Sequence, residues 1–270
     1  MSQRNENLER LALYEELNDV VSAMKNLAQV ELHRVKRAMV NQQPALLTVE
    51  EAVASLQASG GASSEAVQAA SGDTLASFCV TLVLGSERGF CGGFNEQIVR
   101  SFESYLPEHG SRIIIGSRLA SKIMESSDWP FFSAPSTTDE VLPCVQAVTD
   151  YILANPLPES LQLLHHTSQG ITMTALRPLP KMLRRTGPPL SIQLPMAELC
   201  RELEWQYLNQ TLLQAFFTSL WMENRLRLQQ MEGAREHIED LTRELRLRIN
   251  TLRQQEIVEE IEVMLTKAAY

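Results

Sequence analysis

The sequence predicts an α/β protein in which long N- and C-terminal helices form an antiparallel coiled coil with a small inserted α/β domain. Residues 196–270 contain no proline and one glycine, Gly233, and residues 1–58 contain no glycine and one proline, Pro44. Because both residues break helices, the two ends are predicted to be helical. Helices this long can cover their apolar stripes only by pairing. The expected parts are an N-terminal coiled-coil helix (1–58), an inserted α/β domain (73–195) and a long C-terminal helix (196–270).

The N-terminal stretch has apolar residues at helical spacing, in steps of three and four. They are Leu8, Leu11, Tyr14, Leu17, Val21, Met24, Ala28, Leu32, Val35 and Met39. Pro44 is predicted to kink or interrupt the helix near residue 43, with a second helical piece at 48–57. Residues 59–74 are small and polar, which is typical of a linker.

The middle of the chain alternates between strand and helix patterns. Strands are predicted at 78–85, at the start of 111–127, at 161–168 and, as an edge strand, at 171–180; helices are predicted at 95–106, at the end of 111–127 and at 139–154. This alternation indicates a parallel or mixed sheet covered by helices, a Rossmann-like arrangement. A proline-rich segment, 177–195, leads into the last helix.

The C-terminal helix has a long apolar seam. Its members are Leu199, Leu203, Tyr207, Leu212, Phe216, Leu220, Leu228, Met231, Ile238, Leu241, Leu245, Ile249 and Leu252. Residues 205–222 are apolar on more than one face, so this part is expected to pack on the α/β domain. The part after residue 223 is charged on its outer face and is expected to pair with the N-terminal helix.

Composition limits the classes of partner. The formal net charge is −9, which argues against a nucleic-acid partner because phosphate binding needs an excess of lysine and arginine. No segment approaches the roughly 18 consecutive apolar residues of a membrane span. The first ten residues have no signal-peptide core, so the chain is expected to stay in the cytosol.

No pattern of catalytic or metal-binding residues stands out. The segment from Gly85 to Asn95, GSERGFCGGFN, lies where phosphate-binding loops lie, but it has neither a Walker sequence nor GxGxxG. A tight, closely packed turn is therefore favoured over nucleotide binding. His165 and His166 are adjacent in a predicted strand and point to opposite faces, which favours structural roles. We expect no catalytic residues, no metal site and no cofactor.

Three segments carry a family resemblance. The first is C-terminal: ExxxR with a later Met and Ala, followed by N-x-x-R-Q-x-x-I-x-x-E. It comprises Glu223, Arg227, Met231, Ala234, Asn250, Arg253, Gln254, Ile257 and Glu260. The second is SERGFCGGFN, with matches at Ser86, Arg88, Gly89, Cys91, Gly92, Gly93 and Asn95. The third is VVSAMKNLA, with Ala23, Met24 and Ala28 shared. In order and position they resemble the gamma subunit of the F-type ATP synthase, the central rotor shaft.

The resemblance implies a shaft without an active site of its own. In that family the terminal helices form a coiled coil inside a ring of alpha and beta subunits, and the α/β domain lies near epsilon and the membrane c-ring. Arg253, Gln254, Glu260 and Asn250 are the implied contacts near the upper part of the ring, and Arg227, Glu223 and Met24 those at the beta levers. The implied location is peripheral, on the cytoplasmic face of a bacterial plasma membrane.

The sequence also departs from the family pattern. Asp19, Val20 and Val21 replace the usual Lys-Ile-Thr, and Ile257-Val258 replaces Ile-Thr after the RQ pair. These departures indicate a divergent branch, such as the alternate, sometimes sodium-linked form of the complex. Two other hypotheses fit the layout: a coiled-coil adaptor or chaperone-like protein, and a small α/β nucleotide-binding enzyme with helical arms. The RQ block counts against both.

Overall fold

The computed structural model describes residues 3–58, 76–105, 110–123, 129–155, 158–180 and 195–268. The elements in chain order are α1 (Gln3–Ala58), β1 (Ala76–Leu84), α2 (Phe94–Tyr105), β2 (Ser111–Ile115), α3 (Ser117–Ile123), β3 (Phe131–Phe132), a 3-10 helix (Thr138–Glu140), α4 (Val141–Ala154), β4 (Pro158–Thr167), β5 (Gly170–Arg177) and α5 (Met196–Ala268). The predicted fold class is confirmed: long terminal helices enclose, in sequence, a set of alternating strands and helices. The predicted linker 59–74 and most of the proline-rich segment, 181–194, lie outside the described residues.

The helix α1 runs without a break through Pro44, so the predicted interruption near residue 43 is wrong. A proline inside a helix costs about 3 kcal/mol through a lost hydrogen bond and a clash with the preceding turn. Here the helix is held on both sides of Pro44. Val35 is fully buried on one side, Leu56 is fully buried on the other, and the Thr48 hydroxyl donates to the Pro44 carbonyl at 2.9 Å. Tertiary packing offsets the local cost.

The chain divides into two compact units, residues 1–29 with 227–270 and residues 30–226. In the first unit, α1 and α5 pair antiparallel. Three ion pairs between the helices establish the direction. From one pair to the next, the residue number on α1 rises from 4 to 25 while the residue number on α5 falls from 256 to 232. They are Arg4–Glu256 and Glu15–Arg246, each 2.8 Å, and Lys25–Glu232, 3.1 Å.

The seam of this pair differs from the predicted apolar stripe. On α1 the residues turned inward recur in steps of three and four: Asn7, Leu11, Tyr14, Asn18, Val21, Lys25 and Ala28. Leu8 and Leu17, which the prediction placed in the stripe, are exposed. The seam follows a heptad register in which Asn7 and Asn18 take inward positions, and two helices in one register cannot turn every leucine inward. On α5 the inward residues include Met231 and Ile249, as predicted.

The second unit is built around a five-stranded sheet of order β3-β2-β1-β4-β5. Four strands are parallel, and β5 runs antiparallel at the edge beside β4. The edge position of β5 matches the prediction. The two-residue strand β3 has no periodic signal of its own and was missed by the sequence analysis.

Helices cover both faces of the sheet, because successive strand residues point to opposite sides. Leu82 and Leu84 of β1 belong to a core that includes Phe216 of α5 and Val35 of α1. Val83, between them, belongs to a second core with α2 and α3. As predicted, the apolar part of α5 within 205–222 packs on the α/β domain.

Candidate functional site

The C-terminal end of α5 is the most exposed apolar segment of the first unit. The pair Arg4–Glu256 lies next to the described start of α1 at Gln3, while α5 is described as far as Ala268. Beyond Glu256, α5 therefore extends past the described start of its partner helix. Its apolar side chains are exposed, reaching 66% at Leu265; they are Ile257, Val258, Ile261, Val263, Met264 and Leu265. Rows of exposed apolar side chains are typical of surfaces that contact another molecule.

Four of the predicted contact residues lie at this end, and all four are exposed: Asn250, Arg253, Gln254 and Glu260. Steps of three and four place them on one face of α5 together with Ile257 and Ile261. We call these six residues the distal patch. Ile249, an inward residue of the same segment, is 9% exposed and borders the edge of the patch at Arg253. The distal patch thus combines an arginine, two amides, a carboxylate and two branched apolar side chains.

Asn250 also borders a groove of about 430 Å³ along the first unit. Asn18, Thr242 and Arg243 line the same groove. The buried Oδ1 atom of Asn18 and the buried Nδ2 atom of Asn7 have no hydrogen-bond partner among the described residues. Because a buried amide atom without a partner costs free energy, these two asparagines should stabilise the helix pair less than apolar residues would.

The other three predicted residues are placed differently. Glu223 is 3% exposed and Arg227 is 7% exposed, so neither presents a solvated side chain at the helix surface. Met24 is half-buried on α1. The predicted site residues consequently separate into an exposed set in the distal patch, two buried residues, Glu223 and Arg227, and the half-buried Met24.

The outer face of α1 has a row of exposed apolar residues, of which the predicted stripe included only Leu17. Leu13, Leu17, Val20 and Leu27 are exposed, Leu27 by 69%. They recur at steps of four, three and seven, and they lie outside the seam, with Leu17 at its edge. The sequence signal for this row was its heptad spacing. Two stripes with the same spacing run along α1, and the spacing does not determine which of them faces α5.

The glycine-rich turn between β1 and α2 is closed by hydrogen bonds within the chain. The backbone N–H of Ser86 donates to Asn95 Oδ1 at 3.1 Å, and Asn95 Nδ2 donates to Ser86 Oγ at 2.7 Å. A Cβ on Gly85 would lie 2.3 Å from Leu119 Cβ, so the glycine allows the strand and α3 to approach. At the tip, Phe90 has φ +62° and is 66% exposed.

Glu87, within this turn, joins the turn to the start of α3 and to Ala134. Its carboxylate accepts from Ser117 N at 3.0 Å, Ser117 Oγ at 2.5 Å and Ala134 N at 2.9 Å. Burial raises the pKa of Glu87. The hydrogen bonds from Ser117 and Ala134 together lower it by more, so the net shift of the pKa is downward. The N–H groups at the start of α3 thus bind the chain's own carboxylate. This favours the packing interpretation of the turn.

His165 and His166 are buried and point to different neighbours. His165 Nε2 lies 3.1 Å from Thr174 Oγ1, and His166 Nε2 donates to the Phe94 carbonyl at 2.9 Å. The His166 ring also stacks on Phe94 at 3.9 Å between centroids. Among the described residues, no group of three or more His, Cys, Asp or Glu side chains could hold a metal ion.

None of the helices, over the residues described, is long and apolar enough to cross a membrane. The first unit is an antiparallel pair of helices that exposes a mixed polar and apolar patch, and the second unit is an α/β domain. This combination defines an interaction protein built on a coiled coil.

Comparison with known proteins makes the assignment specific. Residues 5–268 match the sequence model of the ATP synthase family, described as ATP synthase. The ATP synthase gamma chain of Desulforamulus reducens is 24% identical over 275 residues, covering 96% of each chain. The gamma chain of Clostridium botulinum strain Kyoto is 24% identical over 192 residues, covering 67% of this chain and 68% of its own. The protein therefore belongs to the ATP synthase family, and within it to the gamma chains of the central stalk.

Solved structures share the fold. A chain in the Euglena gracilis mitochondrial ATP synthase, in the structure of OSCP, F1 and c-ring in rotational state 3, aligns with a TM-score of 0.69 and 14% identity, covering 98% of this chain and 94% of its own. A chain of the Euglena gracilis rotor in rotational state 1 aligns with a TM-score of 0.65 and 15% identity, covering 94% and 98%. These likenesses extend over both terminal helices and the sheet.

Proposed function

We propose that this chain is the rotor subunit of an ion-translocating F-type ATP synthase or ATPase. It couples rotation of the c-ring to conformational change at the catalytic beta subunits and has no active site of its own. The single observation that carries the proposal is the distal patch on an antiparallel pair of helices, in a chain that belongs to the gamma family. A rotor shaft needs a stiff pair of helices and an end that contacts the surrounding alpha–beta ring.

The proposed mechanism follows from the asymmetry of the shaft. The distal patch lies on one face of one helix, so each orientation presents different side chains to three otherwise equivalent beta subunits. An orientation that binds one beta conformation more tightly than another shifts the population toward it. Rotation then moves that preference from one beta subunit to the next, while the nucleotide chemistry stays on beta.

The proposed contacts divide by their exposure. Arg253 and Gln254 are exposed and would contact the upper part of the alpha–beta ring, together with Asn250 and Glu260. Met24 is half-buried and would contact beta at a lower level. Glu223 and Arg227 are buried, so their proposed effect on beta would be exerted through the shape of the helices.

The remaining partners and the location follow from the family role. We propose contacts with alpha, beta and epsilon subunits and with the c-ring, and a peripheral position on the cytoplasmic face of a bacterial plasma membrane. The departures at Asp19, Val21 and Val258 support a divergent branch, such as the alternate, sometimes sodium-linked form of the complex.

The experiment is co-expression with alpha and beta subunits, followed by the ATPase rate of the purified assembly with and without this chain. We expect one copy of the chain per alpha–beta ring and an ATPase rate that depends on it. A stably folded chain that forms no complex would refute the proposal and favour the adaptor hypothesis.

A second experiment addresses the distal patch. Replacing Arg253 and Gln254 by alanine is expected to weaken assembly or slow turnover about tenfold, the effect of losing central contact residues. Arg248→Ala is the matched control, because Arg248 is exposed on the same helix and lies on another face. Equal effects of the two changes would remove the distal patch from the contact.

A further inference from the structure

Glu31 of α1 is a buried glutamate in the second unit. It is 9% exposed, which is rare for a carboxylate unless it is paired or hydrogen-bonded. Its Oε1 atom accepts hydrogen bonds from both the backbone N–H and the hydroxyl of Thr138. These bonds join residues that are 107 positions apart in sequence. Glu31 therefore links the N-terminal helix to the α/β domain.

The group that Glu31 binds is the open end of a helical segment. Thr138 begins the 3-10 helix that continues directly into α4, and the preceding residue, Thr137, makes no side-chain cap hydrogen bond. The first N–H groups of a helix lack partners within it and carry partial positive charge. Glu140 turns its own carboxylate back to the Ser136 N–H at 2.7 Å. Glu31 thus supplies, from another element, the cap that Thr137 does not supply.

The other contacts of this part of α1 are of a different kind. Val35, Ala38 and Met39 pack in the core beneath the sheet, and Gln42 bonds to Gln210 of α5. Apolar packing is non-directional, whereas two hydrogen bonds to one carboxylate oxygen fix both distance and direction. The hydrogen bonds from Thr138 to Glu31 are therefore a directional contact between α1 and the 3-10 helix.

We infer that Glu31 is a positioning residue that fixes the N-terminal helix against α4, so that torque passes between the α/β domain and the shaft without slippage. The inference rests on the proposed function as far as torque is concerned, while the cap itself is a property of the isolated chain. The two parts are therefore tested separately.

The cap is tested by amide hydrogen exchange at Thr138 in the full-length chain. Glu31→Ala should accelerate exchange at this amide roughly 10-fold or more, because a hydrogen bond to a charged group is lost. Glu31→Gln, which keeps an acceptor oxygen, should give a smaller change. Glu51→Gln replaces an exposed glutamate of the same helix and should leave exchange at Thr138 unchanged. Equal exchange in wild type and in both Glu31 variants would overturn the cap.

The role in torque is tested in vesicles that contain the assembled complex. For Glu31→Gln and Glu31→Ala we expect a lower ratio of ions transported to ATP hydrolysed, with subunit stoichiometry and the ATP hydrolysis rate retained. A purely structural role would lower transport and hydrolysis together, and that result would overturn the positioning role. If the wild-type chain does not assemble with alpha and beta, the proposed function fails, and with it the torque role, while the exchange experiment still decides the cap.

Discussion

The two buried histidines predict a loss of stability in mild acid. Burial lowers the pKa of His165 to about 4, against a smaller upward effect of its hydrogen bond to the His166 carbonyl. Burial also lowers the pKa of His166, again opposed by its hydrogen bond, to Phe94. Since a carbonyl oxygen only accepts, His165 Nδ1 and His166 Nε2 carry protons in the neutral rings. Protonation must therefore place a positive charge on imidazole rings that are buried and already hydrogen-bonded, which is unfavourable.

The magnitude follows from the difference between the folded and unfolded pKa. The unfolded chain binds the proton near pH 6.5, whereas folded His165 binds it at about pH 4. Between these values the unfolded state holds more protons, so stability is present above the unfolded pKa and is lost as pH falls. From pH 7 to pH 5, His165 alone should lower the free energy of unfolding by about 2 kcal/mol. His166 contributes in the same direction.

The assay is urea unfolding followed by tryptophan fluorescence at pH 7, 6 and 5. In His165→Gln the loss of stability between pH 7 and pH 5 should be smaller than in wild type by about 2 kcal/mol. Comparing variants cancels other groups, such as Glu204, whose pKa is raised by burial and which acts with the opposite sign. His33→Gln, an exposed histidine of the same unit, is the control. An unchanged pH dependence in His165→Gln would refute the reasoning.

Four further substitutions give predictions for stability at neutral pH. Gly116→Ala should destabilise the protein by at least about 1–3 kcal/mol, because Gly116 has φ +112° and an added Cβ would lie 2.8 Å from Ser86 O. Gly233→Ala should stabilise the protein by about 0.5–1 kcal/mol, because an added Cβ there would have no neighbour within 4 Å among the described residues. Phe216→Ala should cost about 3–5 kcal/mol, since Phe216 is fully buried. Glu87→Gln should cost about 1–3 kcal/mol through its lost charged hydrogen bonds.

Each of these has a clear contrary outcome in the same unfolding measurement. Equal effects at Gly116 and Gly233 would contradict the steric argument. A loss below about 1 kcal/mol for Phe216→Ala would mean that the core collapses around the gap. For Glu87, whose pKa is lowered overall, the wild-type advantage should persist above about pH 4.5 and disappear in stronger acid; an advantage independent of pH would contradict it.

Much of the fold could be predicted from the sequence because the signals were local. The absence of helix breakers predicted both long helices, and the predicted strand at 78–85 became β1 almost residue for residue. Pro44 shows where local rules fail: packing at Val35 and Leu56 keeps the helix continuous. The strand β3 shows the same limit, since two residues carry no period and exist as a strand only through pairing with β2.

The exposure of the candidate site residues could not be predicted from the sequence. The RQ block drew attention to Arg253 and Gln254, and the structure places both on an exposed face. The same motif matching selected Glu223 and Arg227, which are buried, because a motif records residue identity and not exposure. Glu31 had no signal at all, since its partner Thr138 is distant in sequence and a lone glutamate on a helix normally lies in solvent.

By itself the sequence determined the class of fold, the direction of chain pairing and the family, since periodicity, helix breakers and motifs are properties of neighbouring residues. Tertiary structure alone decided which stripe of α1 faces α5, with Asn7 and Asn18 inside and Leu13, Val20 and Leu27 outside. It also decided that Glu31 accepts hydrogen bonds from Thr138, at the start of the 3-10 helix that leads into α4. The physical reason is that a helix with two stripes of heptad spacing can bury either one, and only the second helix selects between them.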